Sequence, residues 1–131
     1  MSEIGTITVG NNKYNVVQAS AMKQKTLMSL IGARISLVSA KTQTETIDKN
    51  MIYGLLLSLT DAESDEVAGI LLHKTMKQGG EKLITVDDFQ NDIHSYFFLL
   101  AEALMLNLKD FFTWLDEENA KQRLVNLGES S

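Results

Sequence analysis

At 131 residues, with 44% hydrophobic residues and formal net charge −5, the chain can bury a sizeable core without disulfides or metal and reads as one domain. It has no cysteine, which excludes disulfide frameworks, zinc–thiolate sites and thiol nucleophiles and fits a reducing cytoplasm. The acidic balance, with 12 scattered Lys and Arg, disfavours nucleic acid as a partner. Proline is absent where average usage would give about six, which favours long helices and short turns.

The N-terminus, Met1-Ser2-Glu3-Ile4, lacks the basic start and apolar run of a signal peptide. Gly5 to Val9 alternates small or polar with apolar residues. Gly10-Asn11-Asn12-Lys13 is turn chemistry, and Tyr14 to Val17 is aromatic and β-branched. Together they predict a β-hairpin, which must pack on helices because two strands alone are marginal.

Ser20 is a candidate N-cap for a first helix from Ala21 to about Ser39, in which Leu27, Leu30, Ile31, Ile35 and Val38 keep helical spacing. Gly32 costs about 1 kcal/mol in a helix interior, and close approach of another helix would explain it. Lys41 to Ile47 is polar and Thr-rich and reads as a loop. Asp48 then caps a second helix through about Leu59, with Met51, Ile52, Leu55, Leu56 and Leu59 in one stripe.

Thr60-Asp-Ala-Glu63 matches a capping box. Asp61, Glu63, Asp65 and Glu66 sit where a helix N-terminus favours anions, and Lys74 and Lys77 where its last turn favours cations. This third helix is expected to end at Gln78-Gly79-Gly80 and to bury Val67, Ile70, Leu71, Leu72 and Met76. Lys82 to Val86 reads as a short strand or extended linker.

A fourth helix is expected from Asp87 or Asp88, with Val86 as a hydrophobic staple. Its polar residues Asp88, Asp92, Ser95, Glu102 and Lys109 fall on one narrow stripe, so it reads as central, with Ile93, Phe97, Leu100 and Leu104 buried. Asn107 to Asp110 bends or breaks it. Phe111 to about Asn126 forms a fifth helix or a continuation, with Glu117 and Lys121 as a supportive pair.

The fold class is therefore mainly α (α+β), a bundle of four to five helices with a small N-terminal β-hairpin. The expected organisation is a single domain, 1–131: a hairpin over 1–18, a helical body over 20–126 and a flexible tail over 127–131.

Catalytic and metal-binding signatures are missing from the sequence. His73 and His94 lie 21 residues apart, without the short spacing of a metal pair. The Asp61–Glu66 carboxylates lack the register of a calcium loop, Gly79-Gly80 has no phosphate-loop context, and no GxSxG occurs. Glu102, Asn107, Lys109 and Asp110 interrupt the longest apolar stretch, which argues against a membrane span. The expectation is no catalysis, no cofactor and no metal.

One segment stands out. Tyr96 to Trp114 holds six of the nine aromatics, and 14 of its 19 residues are apolar. It must be covered by the protein's own core, by another subunit or by a client. Within it Phe111, Phe112, Trp114 and Leu115 are the candidate partner-binding residues, because aromatics dominate interface energetics; core burial is the competing reading.

The order of features resembles the tail assembly chaperones of long-tailed bacteriophages. Ile7-Thr-Val-Gly-Asn-Asn-Lys-Tyr14 is similar to the opening hairpin of that family, and Ala19-Ser-Ala-Met-Lys-Gln24 to its first helix. Leu57-Ser-Leu-Thr-Asp-Ala-Glu-Ser-Asp-Glu-Val67 is similar to its middle helix. Val86-Asp-Asp-Phe89, with the run ending Asn107-Leu-Lys-Asp-Phe-Phe112, is similar to its closing helix. The resemblance spans roughly residues 4–112.

It implies an assembly factor of the bacterial host cytoplasm, absent from the mature virion. Such a factor coats the tape measure protein until tail tube subunits polymerise around it. A homo-oligomer and a longer frameshifted form of the chain are further candidate partners; nucleic acid and membrane are not. Two rival readings stand beside it: a small structural tail or head-completion protein of the virion, and a prophage-encoded regulatory interaction module.

Overall fold

The computed structural model describes residues 4–42 and 49–129. Strands β1 (Ile4–Val9) and β2 (Asn12–Val17) form the expected hairpin, in register from Ile4↔Val17 to Val9↔Asn12. Gly10 has φ 61° and Asn11 does not share a positive φ, the pattern of a type II′ turn with glycine at its first central position. Alternation decides the faces: Ile7, Tyr14 and Val16 are buried while Thr6 and Thr8 are exposed.

Helix α1 runs Ala21–Thr42, three residues beyond the expected end, so Lys41 and Thr42 are helical rather than loop. The Ser20 hydroxyl accepts the Lys23 N–H at 3.3 Å, as an N-cap should. Leu27, Ile31 and Ile35 are buried at one-turn spacing. The burial of Val38 and the rest of the proposed loop, with Asp48 as cap, lie outside the described residues. Gly32 is not a helix crossing: a Cβ there would meet only Met28 of the same helix, at 3.4 Å.

Helix α2 (Lys49–Leu57) ends two residues early and buries Ile52, Leu55 and Leu56. Helix α3 (Asp61–Leu71) opens on the expected capping box: the Glu63 N–H donates to the Thr60 hydroxyl at 3.2 Å, and the Thr60 N–H to the Glu63 carboxylate at 3.0 Å. Arg34 of α1 adds a two-pronged pair to the same carboxylate, at 3.0 and 2.7 Å, and so fixes α3 against α1.

Beyond α3 the sequence expectation fails. The helix stops at Leu71, so neither Lys74 nor Lys77 lies in its last turn. Met76–Lys77 form a short strand, β3, antiparallel to β2 through Tyr14↔Lys77 and Asn15↔Met76. Gly79 (φ 84°) turns the chain back, and Leu83 bridges to Met76. Thus Gly79-Gly80 closes a strand turn rather than a helix.

The second correction concerns the fourth helix. Val86–Phe89 make only a 3-10 turn; Asn91 takes φ 67°, and α4 starts at Ile93. Ile93, expected in the core, is 51% exposed because it sits in the opening turn before α4 reaches its neighbours, and Phe97 is half-buried. Leu100 and Leu104 are fully buried as expected.

Helix α4 (Ile93–Asn107) is the centre of the molecule, packed on β1, α2, α3 and the 3-10 turn. Gly5 permits its approach to β1, since a Cβ there would lie 2.9 Å from the Leu106 side chain. Helix α5 (Lys109–Glu129) continues past Asn126 and takes in much of the proposed tail; Ser130 and Ser131 lie outside the described residues. Lys121 pairs with Glu118 at 3.2 Å, one residue from the expected Glu117.

Candidate functional site

The aromatic run is divided by a break that one polar residue organises. Asn107 is 3% exposed, at the end of α4. Its Oδ1 accepts the Ala19 N–H at 2.7 Å, and its Nδ2 donates to the Ala103 carbonyl at 2.9 Å. Gln18 Nε2 donates to the Leu106 carbonyl at 3.3 Å. These bonds pin the entrance of α1 to the exit of α4. Leu108 leaves helical geometry (φ −118°, ψ 36°), and α5 restarts at Lys109 beside α1.

On α5 the four candidate residues separate by helical phase. Phe112 and Leu115 extend the stripe begun by Leu108 at spacings of four and three, and all three are buried. Phe111 is half-buried and Trp114 is 52% exposed. Their rings stack at 6.2 Å with planes 18° apart, the one-turn pairing expected at i and i+3. The phase difference was available in the sequence once Leu108 is taken as the start of the stripe.

Phe111 and Trp114 form one wall of a surface groove whose other wall is α1. Met28 and Leu108 supply apolar lining, and Lys25 and Asp110 stand at its rim. At about 360 Å³ the groove takes a few side chains of a partner. Its residues offer apolar contact and two opposite charges, with no nucleophile–base pair.

The other singled-out residues have local roles. His94 lies on α4 with Nδ1 2.8 Å from the Tyr53 hydroxyl, and its ring meets Phe98 edge-on at 4.4 Å. His73 Nδ1 lies 3.1 Å from the Ile70 carbonyl. The two histidines are thus engaged in separate places. Among the described residues there is no group of three or more His, Asp or Glu placed to hold a metal ion. Asp61 and Glu63 occupy the first turn of α3.

A second cleft lies between β2, the Gly80–Ile84 segment and the 3-10 turn, with Tyr14, Phe89, Asp88 and Asp92 in its wall. Burial, then the carboxylates of Asp92 and Asp88, push the Tyr14 phenol above its ordinary range, so it stays neutral. Its ring packs on Phe89 at 5.9 Å. The residue types fit a packed boundary better than an acid–base pair.

No helix among the described residues is long and apolar enough to cross a membrane. Local sequence reasoning missed two tertiary ties, Asn107 to Ala19 and Arg34 to Glu63, whose partners lie 88 and 29 residues apart.

Neither curated proteins nor solved structures give a significant match to this chain. A family model, that of the phage tail assembly chaperone protein, matches residues 10–121. The match begins in the hairpin turn, includes α4 whole and runs past Phe112 through the Phe111–Trp114 wall of the groove. It covers most of the sequence, and the chain therefore belongs to the phage tail assembly chaperone family.

Proposed function

We propose that the protein is a non-catalytic chaperone that binds and solubilises the tape measure protein and helps recruit tail tube subunits. The observation that carries this reading is the stacked pair of half-buried Phe111 and exposed Trp114 beside the α1–α5 groove, on a chain of net charge −5. A long apolar client helix loses accessible surface by laying side chains into such a groove, and the acidic remainder keeps the complex in solution. Binding that masks the client's apolar face lowers the concentration free to aggregate. Asp110, Asp116, Glu117 and Glu118 flank the apolar wall in sequence and attract basic stretches of the client.

The chaperone works in the host cytoplasm during tail assembly and is left out of the finished virion. A longer frameshifted form would carry the same groove into a second assembly contact.

Co-expression with the tape measure protein tests the proposal. The client should remain in solution with this chain, co-purify with it, and precipitate without it. Purified virions should contain none of the chain. Equal client solubility with and without it would sink the client assignment. Stoichiometric chain in purified particles would instead favour a structural tail protein.

A further inference from the structure

The cleft between β2, the Gly80–Ile84 segment and the 3-10 turn holds about 580 Å³ and shares no residue with the α1–α5 groove. Three acceptors lie in its wall: the Tyr14 hydroxyl and the carboxylates of Asp88 and Asp92. The sequence brings them from three places. Alternation along β2 turns Tyr14 inward with Val16, and its ring meets Phe89 at 5.9 Å. Asp88 sits in the 3-10 turn, where its Oδ2 accepts the Thr85 N–H at 2.9 Å. Asp92 precedes α4, where its Oδ1 accepts the Ser95 hydroxyl at 2.9 Å. Each carboxylate is thus held through one oxygen. Among the described residues, the other oxygen has no hydrogen-bond or ion-pair partner.

The Tyr14 hydroxyl is the more telling group. The residue is 6% exposed, yet among the described residues its hydroxyl makes no hydrogen bond. A buried phenol ordinarily finds a partner. The charges that act on it are those of Asp92 and Asp88. Lys77 and Lys82 also line the cleft, but both are exposed and neither pairs with Asp88 or Asp92 among the described residues. Beside these acceptors lies an apolar shelf. Leu83 and Ile84 are shared with a neighbouring depression that Val86 and Tyr96 also line. Leu83 is 53% and Val86 49% exposed. The surface therefore has two parts, one suited to a positive charge and one to a bulky apolar side chain.

We propose that this surface docks a segment of another protein, seating an arginine side chain among Tyr14, Asp88 and Asp92 and an adjoining apolar side chain over Leu83 and Val86. The three groups are all acceptors and two are negative, so the occupant must donate and carry positive charge. A guanidinium suits the cleft better than an ammonium for two reasons. Its five N–H groups form a planar fork that matches carboxylates and reaches a third acceptor as well. It is also more weakly hydrated, so it enters a cleft walled partly by Leu83, Ile84 and Phe89 at a smaller desolvation cost. A neutral occupant would satisfy the Tyr14 hydroxyl but leave two carboxylates uncompensated. The exposed shelf supplies the apolar contact that an isolated arginine lacks, which favours a polypeptide over a free cation. Because no lining residue is common to the two grooves, this site can fill while the α1–α5 groove is occupied.

Short peptides test this without any tail protein. Acetyl-Leu-Arg-amide, acetyl-Leu-Lys-amide and acetyl-Leu-citrulline-amide are titrated into the full chain and followed by two-dimensional NMR of backbone amides and aromatic side chains. Citrulline keeps the shape of arginine and removes its charge. The expected result is a set of saturable shifts at Tyr14, Leu83, Asp88, Phe89 and Asp92 with the arginine peptide, weakened by salt. The citrulline peptide should bind about tenfold more weakly or worse, because charge-assisted hydrogen bonds are the strong ones. The lysine peptide should fall between them. Asp92→Asn and Tyr14→Phe keep the side-chain shapes, and each should weaken arginine binding severalfold with unchanged circular dichroism. Shifts confined to other surfaces, or no saturation at the highest soluble peptide concentration, overturn the proposal. So does citrulline binding as tightly as arginine, or binding that both variants leave unchanged. Lysine binding as tightly as arginine overturns the assignment to a guanidinium. If Tyr14→Phe fails to fold, Asp92→Asn and the citrulline comparison decide.

Discussion

Within α4, Leu99, Leu100, Ala101, Ala103 and Leu104 are each at most 1% exposed, whereas in the first turns of α5 the buried Phe112 and Leu115 alternate with half-buried Phe111 and exposed Trp114. Both stretches belong to one apolar run. The difference lies in what surrounds them. Helix α4 has β1, α2 and α3 packed around it, so almost every direction is filled. Among the described residues, helix α5 packs mainly on α1 and the end of α4, which cover one face of its first turns. Asn107 sits at the junction and lets the chain change axis. An apolar run can thus supply a core and an exposed surface in succession, provided that a satisfied polar residue separates them.

The sharpest test of the first half is Leu100→Ala. With no room for the surroundings to collapse fully, it should cost about 2–5 kcal/mol in chemical denaturation. A loss below about 0.5 kcal/mol would show that α4 is not the packed centre, and the comparison with α5 would fail.

The junction itself is tested by Asn107→Ala. This change removes the acceptor of the Ala19 N–H and leaves that buried donor unpaired, which should cost about 1–3 kcal/mol. Amide exchange at Ala19 should accelerate more than the global loss explains, because the entrance of α1 is released from α4. Unchanged exchange there would mean that packing, not this bond, holds the junction.

These two sites differ in how they could be read from sequence. The core of α4, the hairpin with its Gly10 turn, and the Thr60–Glu63 capping box are local patterns, and periodicity or spacing exposed them. Met76–Lys77 could not be read that way. Met76 keeps helical phase with Leu72, and only pairing with Asn15, far away in sequence, makes it a strand. The start of α4 misled for a related reason: Asp87 and Asp88 are good helix-start residues, and they do open a turn. The Thr85 N–H bonds to Asp88 at 2.9 Å, but the turn is 3-10 and Asn91 interrupts it. Asn107 was legible as a break and not as a clamp, since its partner is remote. On α5 the divided phases of Phe111/Trp114 and Phe112/Leu115 were present in the spacing, but which phase faced inward depended on where α1 lies.

A smaller effect concerns how α3 is held to α1. The Arg34 guanidinium, then the Thr60 N–H, hold the Glu63 carboxyl below the ordinary glutamate range. A carboxylate whose folded pKa is depressed contributes stability that is fully present above its unfolded pKa. That contribution is lost as pH falls through the depressed folded value. Compared with Glu63→Gln, the wild-type chain should therefore be more stable near neutrality, with the advantage shrinking below about pH 4. The groups are partly exposed, so the effect is modest and weakens in salt. A constant difference from neutral to acid pH would show that the pair contributes nothing through its charge.

The smallest expected effect on stability is at Trp114, and it separates the two halves of the run most cleanly. Leu115 is 5% exposed, so replacing Trp114 and Leu115 together would mix a core loss with a surface change. Trp114→Ser alone removes the exposed ring and leaves Phe112 and Leu115 in place. Helical content should be unchanged and stability should move by no more than about 0.5 kcal/mol. Under the proposed function the same variant should retain less tape measure protein in solution and release it faster, because truncating an aromatic anchor acts mainly on dissociation. If Trp114→Ser instead destabilises the fold as much as Leu100→Ala does, the ring belongs to the core and the α1–α5 groove is not an open surface. If it leaves both stability and client capture unchanged, the client binds elsewhere, and the exposed half of the apolar run needs another explanation.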